Sequence, residues 1–313
     1  MSRAFVFPGQ GSQIVGMGKA LADTFAPAHA VFEEVDAALG QKLSQIIFAG
    51  PVEELTLTAN TQPALMAVSL ATMRVLEAEA GLDLKQHARF VAGHSLGEYS
   101  ALAAAGALSI ADTARLLRIR GDAMQKAVPV GEGAMAALLG LEFEQAAAIA
   151  RDAAQGEVCD PANDNGGGQV VVSGTKAAVE RAVALATERG AKRAVMLPVS
   201  APFHCALMAP AADAMRAALA DATINAPVVP VIANVAAGPV SDPEAIRDAL
   251  VRQVTGTVRW RESVAFMADQ GVTQFFEIGA GKVLTGLAKR IAPGATGQAV
   301  GTPDDIEKVG QAL

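Results

Sequence analysis

Gly93-His94-Ser95-Leu96-Gly97 joins a short apolar run, Phe90-Val91-Ala92, to a helix-forming run from Glu98 to Ala105. A strand that reverses at once into a helix forces the central residue into a strained backbone conformation and leaves no room for side chains beside it, hence the flanking glycines. The pattern predicts a strand, a sharp turn and a helix in direct succession. It also sets Ser95 at a helix N-terminus, where free N–H groups and the positive end of the helix dipole favour a developing oxyanion. This is the setting of a serine nucleophile. A tight turn with a solvated serine fits the same five residues, so the chemistry depends on the partners that the rest of the chain supplies.

Short apolar runs rich in Val, Ile and Phe alternate with longer Ala/Leu-rich runs of helical period, the pattern of an α/β fold with a largely parallel β-sheet. Strands are predicted at Ala4 to Phe7, Arg89 to Ala92, Val228 to Ala233 and Thr273 to Ile278. Helices are predicted at Met17 to Leu39, Pro63 to Ala80, Ile110 to Lys126, Ala206 to Leu219 and Arg261 to Gln270. From Gly133 to Val199 the rhythm changes: strand (Ala134 to Leu139), helix (Glu142 to Ala154), strand (Glu157 to Asp160), strand (Gln169 to Val172), helix (Ala177 to Arg189), strand (Arg193 to Val199). That βαββαβ order is the ferredoxin-like pattern. It reads as a small subdomain at 129–197, inserted into a hydrolase-like large domain made of 1–128 and 198–313. An insert beside a larger body makes a cleft, and clefts are where ligands bind.

The 313 residues are 51% hydrophobic and 18% charged, enough to bury a large core. Met1 to Pro8 reads as a first buried strand and not as a secretory leader. No apolar run approaches the roughly 18 residues of a membrane span. Two cysteines, Cys159 and Cys205, stand outside any C-x-x-C pair and suit a reducing cytoplasm. The net charge of −7 argues against nucleic acid as a partner. Phosphate-loop look-alikes fail in detail: around Gly279-Ala280-Gly281-Lys282, Phe276 and Val283 stand where a Walker loop has Gly and Ser or Thr, and Gly9-Gln10-Gly11 lacks the third glycine of a dinucleotide fingerprint. No H-E-x-x-H or Cys/His cluster predicts a metal site.

A serine hydroxyl attacks only when a base takes its proton, and histidine suits that task near neutrality. Of four histidines, His29 and His87 have charged neighbours and read as surface residues, while strand geometry turns His94 away from Ser95 toward a structural role or one that supports the reacting residues. His204 remains, in Ser200-Ala201-Pro202-Phe203-His204, where the chain leaves the insert and re-enters the large domain. An isolated loop histidine is the alternative. Arg120 is the second unusual residue. On a helical wheel for Ile110 to Lys126, with Ser109 and Asp112 as a capping box, Arg115, Arg118 and Asp122 share a polar face. Arg120 falls instead with Thr113, Leu116, Leu117 and Met124, on the inward side, where an unpaired guanidinium is costly. Either a protein carboxylate satisfies it, or it waits for an anionic ligand whose carboxylate its planar fork can hold.

The chain resembles the malonyl-CoA:acyl carrier protein transacylases, the stand-alone acyltransferases of bacterial type II fatty acid synthesis. The likeness runs through Phe7-Pro8-Gly9-Gln10-Gly11-Ser12-Gln13, Thr61-Gln62-Pro63-Ala64-Leu65 and the stretch Gly93 to Leu102. It continues in Arg120-Gly121 with Met124-Gln125, Asn163-Asp164-Asn165, Pro202-Phe203-His204 and Gly279 to Leu284. The resemblance implies an α/β hydrolase-like domain with a ferredoxin-like insert, Ser95 as the acylated nucleophile and His204 as its base. It implies further that Arg120 holds the free carboxylate of a malonyl group and that the backbone N–H groups of Gln10 and Leu96 form the oxyanion hole. The Gln253 carbonyl would orient His204, with Phe203 and Gln62 in the substrate pocket. One departure is Ala280, where many members have proline; it touches no catalytic assignment.

The activity implied by the resemblance is ping-pong transfer of malonyl from malonyl-CoA to acyl carrier protein in the cytoplasm, with no metal and no cofactor besides the CoA thioester itself. Neither membrane nor nucleic acid enters as a partner. Because the carrier protein is acidic, it should meet a local basic surface, for which Lys282, Lys289, Arg290, Lys192 and Arg193 are candidates. A serine hydrolase, a non-catalytic docking subunit and the malonyl-transferring subunit of a malonate decarboxylase are the competing readings.

Overall fold

The computed structural model describes residues 2–311; Met1, Ala312 and Leu313, at the two ends of the expected domain ranges, lie outside the described residues. The ten strands among them are β1 (Ser2–Phe7), β2 (Phe90–Gly93), β3 (Gly133–Leu139), β4 (Cys159–Asp164), β5 (Gln169–Thr175), β6 (Arg193–Met196), β7 (Val231–Ala233), β8 (Gly238–Val240), β9 (Val272–Ile278) and β10 (Thr296–Val300). They form a six-stranded sheet in the order β10-β9-β1-β2-β7-β8 and a four-stranded sheet in the order β4-β5-β3-β6. All pairings in the first are parallel except β7 with β8; all in the second are antiparallel. The fold is thus mixed α/β, with a parallel-rich sheet and a separate antiparallel one.

Parallel sheets are covered on both faces, so their strands are apolar throughout. Alternate residues of the large sheet divide accordingly. Phe5, Phe7, Val91, Val231 and Phe276 join one core cluster, and Ala4, Val6, Phe90, Ala92, Ile232 and Phe275 join the other. The small sheet is similarly two-sided. Ala136, Leu138 and Val172 pack under the helices Phe143–Ala154 and Lys176–Glu188, whereas Met135, Ala137 and Val171 face the main core. A bridge between Asn163 and Val258 and an ion pair from Arg261 Nε to Asp164 Oδ2, 2.8 Å long, fasten the edge of β4 to the large body.

Differences from the sequence expectation have local causes. The helix expected over Met17 to Leu39 is two, Lys19–Thr24 and Ala26–Leu39, because Phe25 is extended and Pro27 belongs in a first helical turn. The helix expected to open at Pro63 opens five residues earlier, at Thr58, and carries the proline inside. In the other direction, β7 starts at Val231 and not Val228, and β6 stops at Met196 before Pro198. The strand expected at Glu157 to Asp160 lies later, at Cys159–Asp164, with a bulge between Pro161 and Asn163. Strands β8 and β10 were not expected at all. They are edge strands of sequence GPV and TGQAV, whose proline, glycines and polar residues suit an edge and carry no apolar run.

Candidate active site

The site gathers at the carboxyl ends of β1, β2 and β7. Strand β2 ends at Gly93 and the helix Gly97–Ala104 begins four residues on, with Ser95 between them at φ 53°. The space is closed on both sides. A Cβ on Gly93 would lie 1.8 Å from the Gly97 carbonyl oxygen, and one on Gly97 would lie 2.2 Å from that of Phe7. Asn234, just past β7, pins the turn: its Oδ1 accepts the Ser95 N–H at 2.8 Å and its Nδ2 donates to the Gly93 carbonyl at 2.7 Å.

His204 meets Ser95. Its Nε2 lies 2.7 Å from Ser95 Oγ, and its Nδ1 lies 2.9 Å from the Gln253 carbonyl oxygen. A carbonyl only accepts, so Nδ1 carries the proton and Nε2 presents a lone pair to the hydroxyl. Burial, reinforced by the Arg120 charge, lowers the His204 pKa from 6.5 to about 3, which keeps the ring neutral. The other histidines make different contacts. His94 faces Asn165 Oδ1 through Nε2 at 2.9 Å, packs near Trp260 and lines the cavity that Ser95 and His204 also line. His29 is exposed beside Glu33, and the half-buried His87 accepts the Asp83 N–H on Nδ1.

Arg120 lies on the buried face of the helix Ile110–Ala127 and is 1% exposed. Its acceptors are neutral. Nη1 donates to Gln62 Oε1 at 2.7 Å, and Nη2 donates to Gln253 Oε1 at 2.8 Å and to Ser95 Oγ at 3.1 Å. The guanidinium carbon stands 5.7 Å from the Tyr99 ring centroid, and the buried Nε–H has no hydrogen-bond partner. At the start of the same helix Ser109 caps as expected, accepting the Asp112 N–H at 3.0 Å, although its hydroxyl donates to the Asp112 side chain in place of a reciprocal box.

These groups line a cavity of about 570 Å³ between the large sheet and the small one. Gln10, Leu96, Gln62, Phe203 and Asn163 share the wall with Ser95, His204 and Arg120. Among the described residues, neither the Gln10 nor the Leu96 backbone N–H is taken by another protein group. No cluster of three or more His, Cys, Asp or Glu among the described residues could hold a metal, and no helix among them is long and apolar enough to cross a membrane.

An acyl transferase domain model matches residues 4–297. The chain belongs to that family. This acyl transferase is 51% identical over 300 residues to the malonyl CoA-acyl carrier protein transacylase of Escherichia coli, covering 96% of each chain. It superposes with a TM-score of 0.97 on the acyl-carrier-protein S-malonyltransferase of Bartonella henselae, at 59% identity, covering 100% of this chain and 99% of that one. Another solved structure, a malonyl-transacylase in complex with a type II PKS acyl-carrier protein, is 44% identical with a TM-score of 0.96, covering 100% of both chains.

Sequence reasoning missed two residues of this acyl transferase's site. Besides Asn234, the fully buried Glu98 accepts from the Asn234 N–H at 2.9 Å and from Gln253 Nε2 at 2.8 Å. Burial raises its pKa from 4.5 to about 7, against the opposing pull of those two hydrogen bonds and of Arg120. Its acidic position three residues after Ser95, on a helix whose other residues are small or apolar, was the available signal.

Proposed function

We propose that the protein moves malonyl from malonyl-CoA to the phosphopantetheine thiol of acyl carrier protein by way of malonyl-Ser95, supplying malonyl carrier protein for fatty acid synthesis. The observation that carries the reading is one hydroxyl shared by a neutral histidine and a buried arginine: Ser95 Oγ stands 2.7 Å from His204 Nε2 and 3.1 Å from Arg120 Nη2. The first contact suits nucleophilic attack. The second calls for an acyl group with a negative far end.

In the first half-reaction Ser95 Oγ bonds to the thioester carbon while its proton passes to His204 Nε2. The oxyanion that forms is stabilised by the N–H groups of Gln10 and Leu96. Its collapse breaks the carbon–sulfur bond, and His204 returns the proton to sulfur, so CoA leaves as a thiol. In the second half the carrier thiol gives its proton to His204, attacks the ester carbon and releases Ser95 Oγ, which takes the proton back. The Gln253 carbonyl keeps Nδ1 protonated throughout. Arg120 pairs with the malonyl carboxylate, and an acetyl group would leave the guanidinium unpaired at a cost of ~2 kcal/mol or more. Phe203 and Gln62 close the acyl end of the pocket.

The reading includes three structural assignments: the Ser95 turn as a nucleophile elbow, residues 129–197 as a ferredoxin-like subdomain, and 1–128 with 198–313 as a hydrolase-like domain. The βαββαβ order of β3 to β6 supports the second. The chemistry draws on no cofactor beyond the CoA thioester, and two buried free thiols suit a cytoplasmic setting. The acidic carrier would meet Lys192 and Arg290. Close approaches around a glycine-rich turn bring these two together: Gly167 abuts Arg290, Gly168 abuts Gly140, and Gly140 abuts Lys192. Initial rates with both substrates varied should give the parallel double-reciprocal lines of a ping-pong path; intersecting lines would refute an acyl-enzyme.

A further inference from the structure

A buried arginine is ordinarily paired with a carboxylate, because a buried charge without a counter-charge is costly. Arg120 is not. None of the ion pairs among the described residues includes it, and both of its firm acceptors are glutamine side-chain oxygens, each 2% exposed or less. The acid nearest in effect, Glu98, is held one amide away: Gln253 points Nε2 at Glu98 Oε2 and Oε1 at Arg120 Nη2. Glu98 Oε2 also accepts the Asn234 N–H and the Ser95 carbonyl also accepts from Gln253 Nε2, so these acceptors fix which end of the Gln253 amide faces the guanidinium. Gln62 is turned the same way, with Nε2 toward Met124 Sδ at 3.7 Å and its oxygen on Nη1.

On the malonyl-transfer reading above, we propose that Gln62 and Gln253 are positioning residues that set acyl selectivity: two neutral amide oxygens hold the Arg120 guanidinium beside Ser95 and leave its charge uncommitted, so that a substrate carboxylate is the anion it pairs with. The Nε–H is buried and unpartnered, and Nη2 reaches Ser95 Oγ itself, so the guanidinium stands beside the hydroxyl that carries the acyl group. A carboxylate in either glutamine's place would form an internal ion pair and compete with the substrate for the same fork. Strong malonyl selectivity therefore requires amides at these two positions.

Gln62→Glu tests this with a side chain of nearly the same shape. Acylation of Ser95 by malonyl-CoA and by acetyl-CoA is followed by intact mass in the full-length protein, with Tm measured alongside. For Gln62→Glu the malonyl kcat/KM is expected to fall roughly 100-fold, chiefly through KM, while the acetyl value holds or rises and Tm does not fall. Gln62→Met, which removes the acceptor without adding charge, is expected to lose about 10-fold on malonyl and to keep malonyl favoured. An unchanged malonyl-to-acetyl ratio in Gln62→Glu, or an equal loss for both acyl groups, would overturn the proposal. Failure of the underlying reading looks different: the parent protein itself would then show no preference for malonyl.

Discussion

Ser95 and His204 both occupy the left-handed backbone region, at φ 53° and 59°, a conformation that non-glycine residues adopt at some cost and that here aims Oγ and Nε2 at each other. Ser95→Ala is expected to abolish acylation with little change in fold, as read by intact mass and circular dichroism. Arg120→Ala should raise acetyl transfer relative to malonyl; an unaltered ratio would remove the arginine from substrate recognition. The pH behaviour comes from burial. Because burial lowers the His204 pKa from 6.5 to about 3, the ring stays neutral as acid is added, and if it is the proposed base, acylation kcat/KM should remain level well below pH 6.5. A fall centred near 6.5 would contradict a buried, neutral base. Stability carries opposite signs at the two buried groups. The unfolded chain protonates His204 near 6.5 and the folded one only near 3, so this residue costs stability as pH falls through that window. Glu98, raised from 4.5 to about 7, contributes stability that is fully present below 4.5 and is lost as pH rises through 7. The Tm of Glu98→Gln, relative to the parent, should therefore improve as pH rises through that window; a pH-independent difference would contradict a carboxyl that ionises inside the fold.

At the scale of elements, the turn after β2 is rigid because backbone crowds it from both sides. Gly97→Ala would drive a Cβ into the Phe7 carbonyl, and a loss of soluble folded protein, or of several kcal/mol in denaturant unfolding, is expected. The helix Ile110–Ala127 carries Arg120, and its cap is a separate, milder lever: Ser109→Ala should cost about 1 kcal/mol and leave malonyl selectivity alone. Periodicity made this helix and its inward arginine legible in the sequence, as it did β1, β2 and β9. It failed where composition and position diverge. The Phe25 break, the early start at Thr58 and the edge strands β8 and β10 are set by neighbours that the local sequence does not reveal. Asn234 and the Gln253 side chain were illegible for the same reason, since each acts on Ser95 or Arg120 across more than a hundred residues of chain.

At the scale of the molecule, the cavity exists because the small sheet presents Met135 and Asn163 to a site whose reactive groups follow β2 and the re-entry of the chain at His204. The order of the elements from β3 to β6 could be read from residues 133–199; the anchoring of β4 by the Asn163–Val258 bridge and the Arg261–Asp164 ion pair could not. Lys192 and Arg290 lie on either side of the Gly166–Gly168 turn, where Gly167 abuts Arg290 and Gly140, which abuts Lys192, meets Gly168. Reversing both charges, Lys192→Glu with Arg290→Glu, should raise KM for acyl carrier protein roughly tenfold and weaken its salt dependence; an unchanged KM would place the carrier elsewhere. The most direct measurement of the central claim is intact and peptide mass spectrometry after separate incubation with malonyl-CoA, acetyl-CoA and methylmalonyl-CoA. The account predicts a malonyl adduct on Ser95, formed in preference to the others and discharged to holo acyl carrier protein faster than to water. An adduct on another residue, or one lost to water as fast as to the carrier, would contradict it.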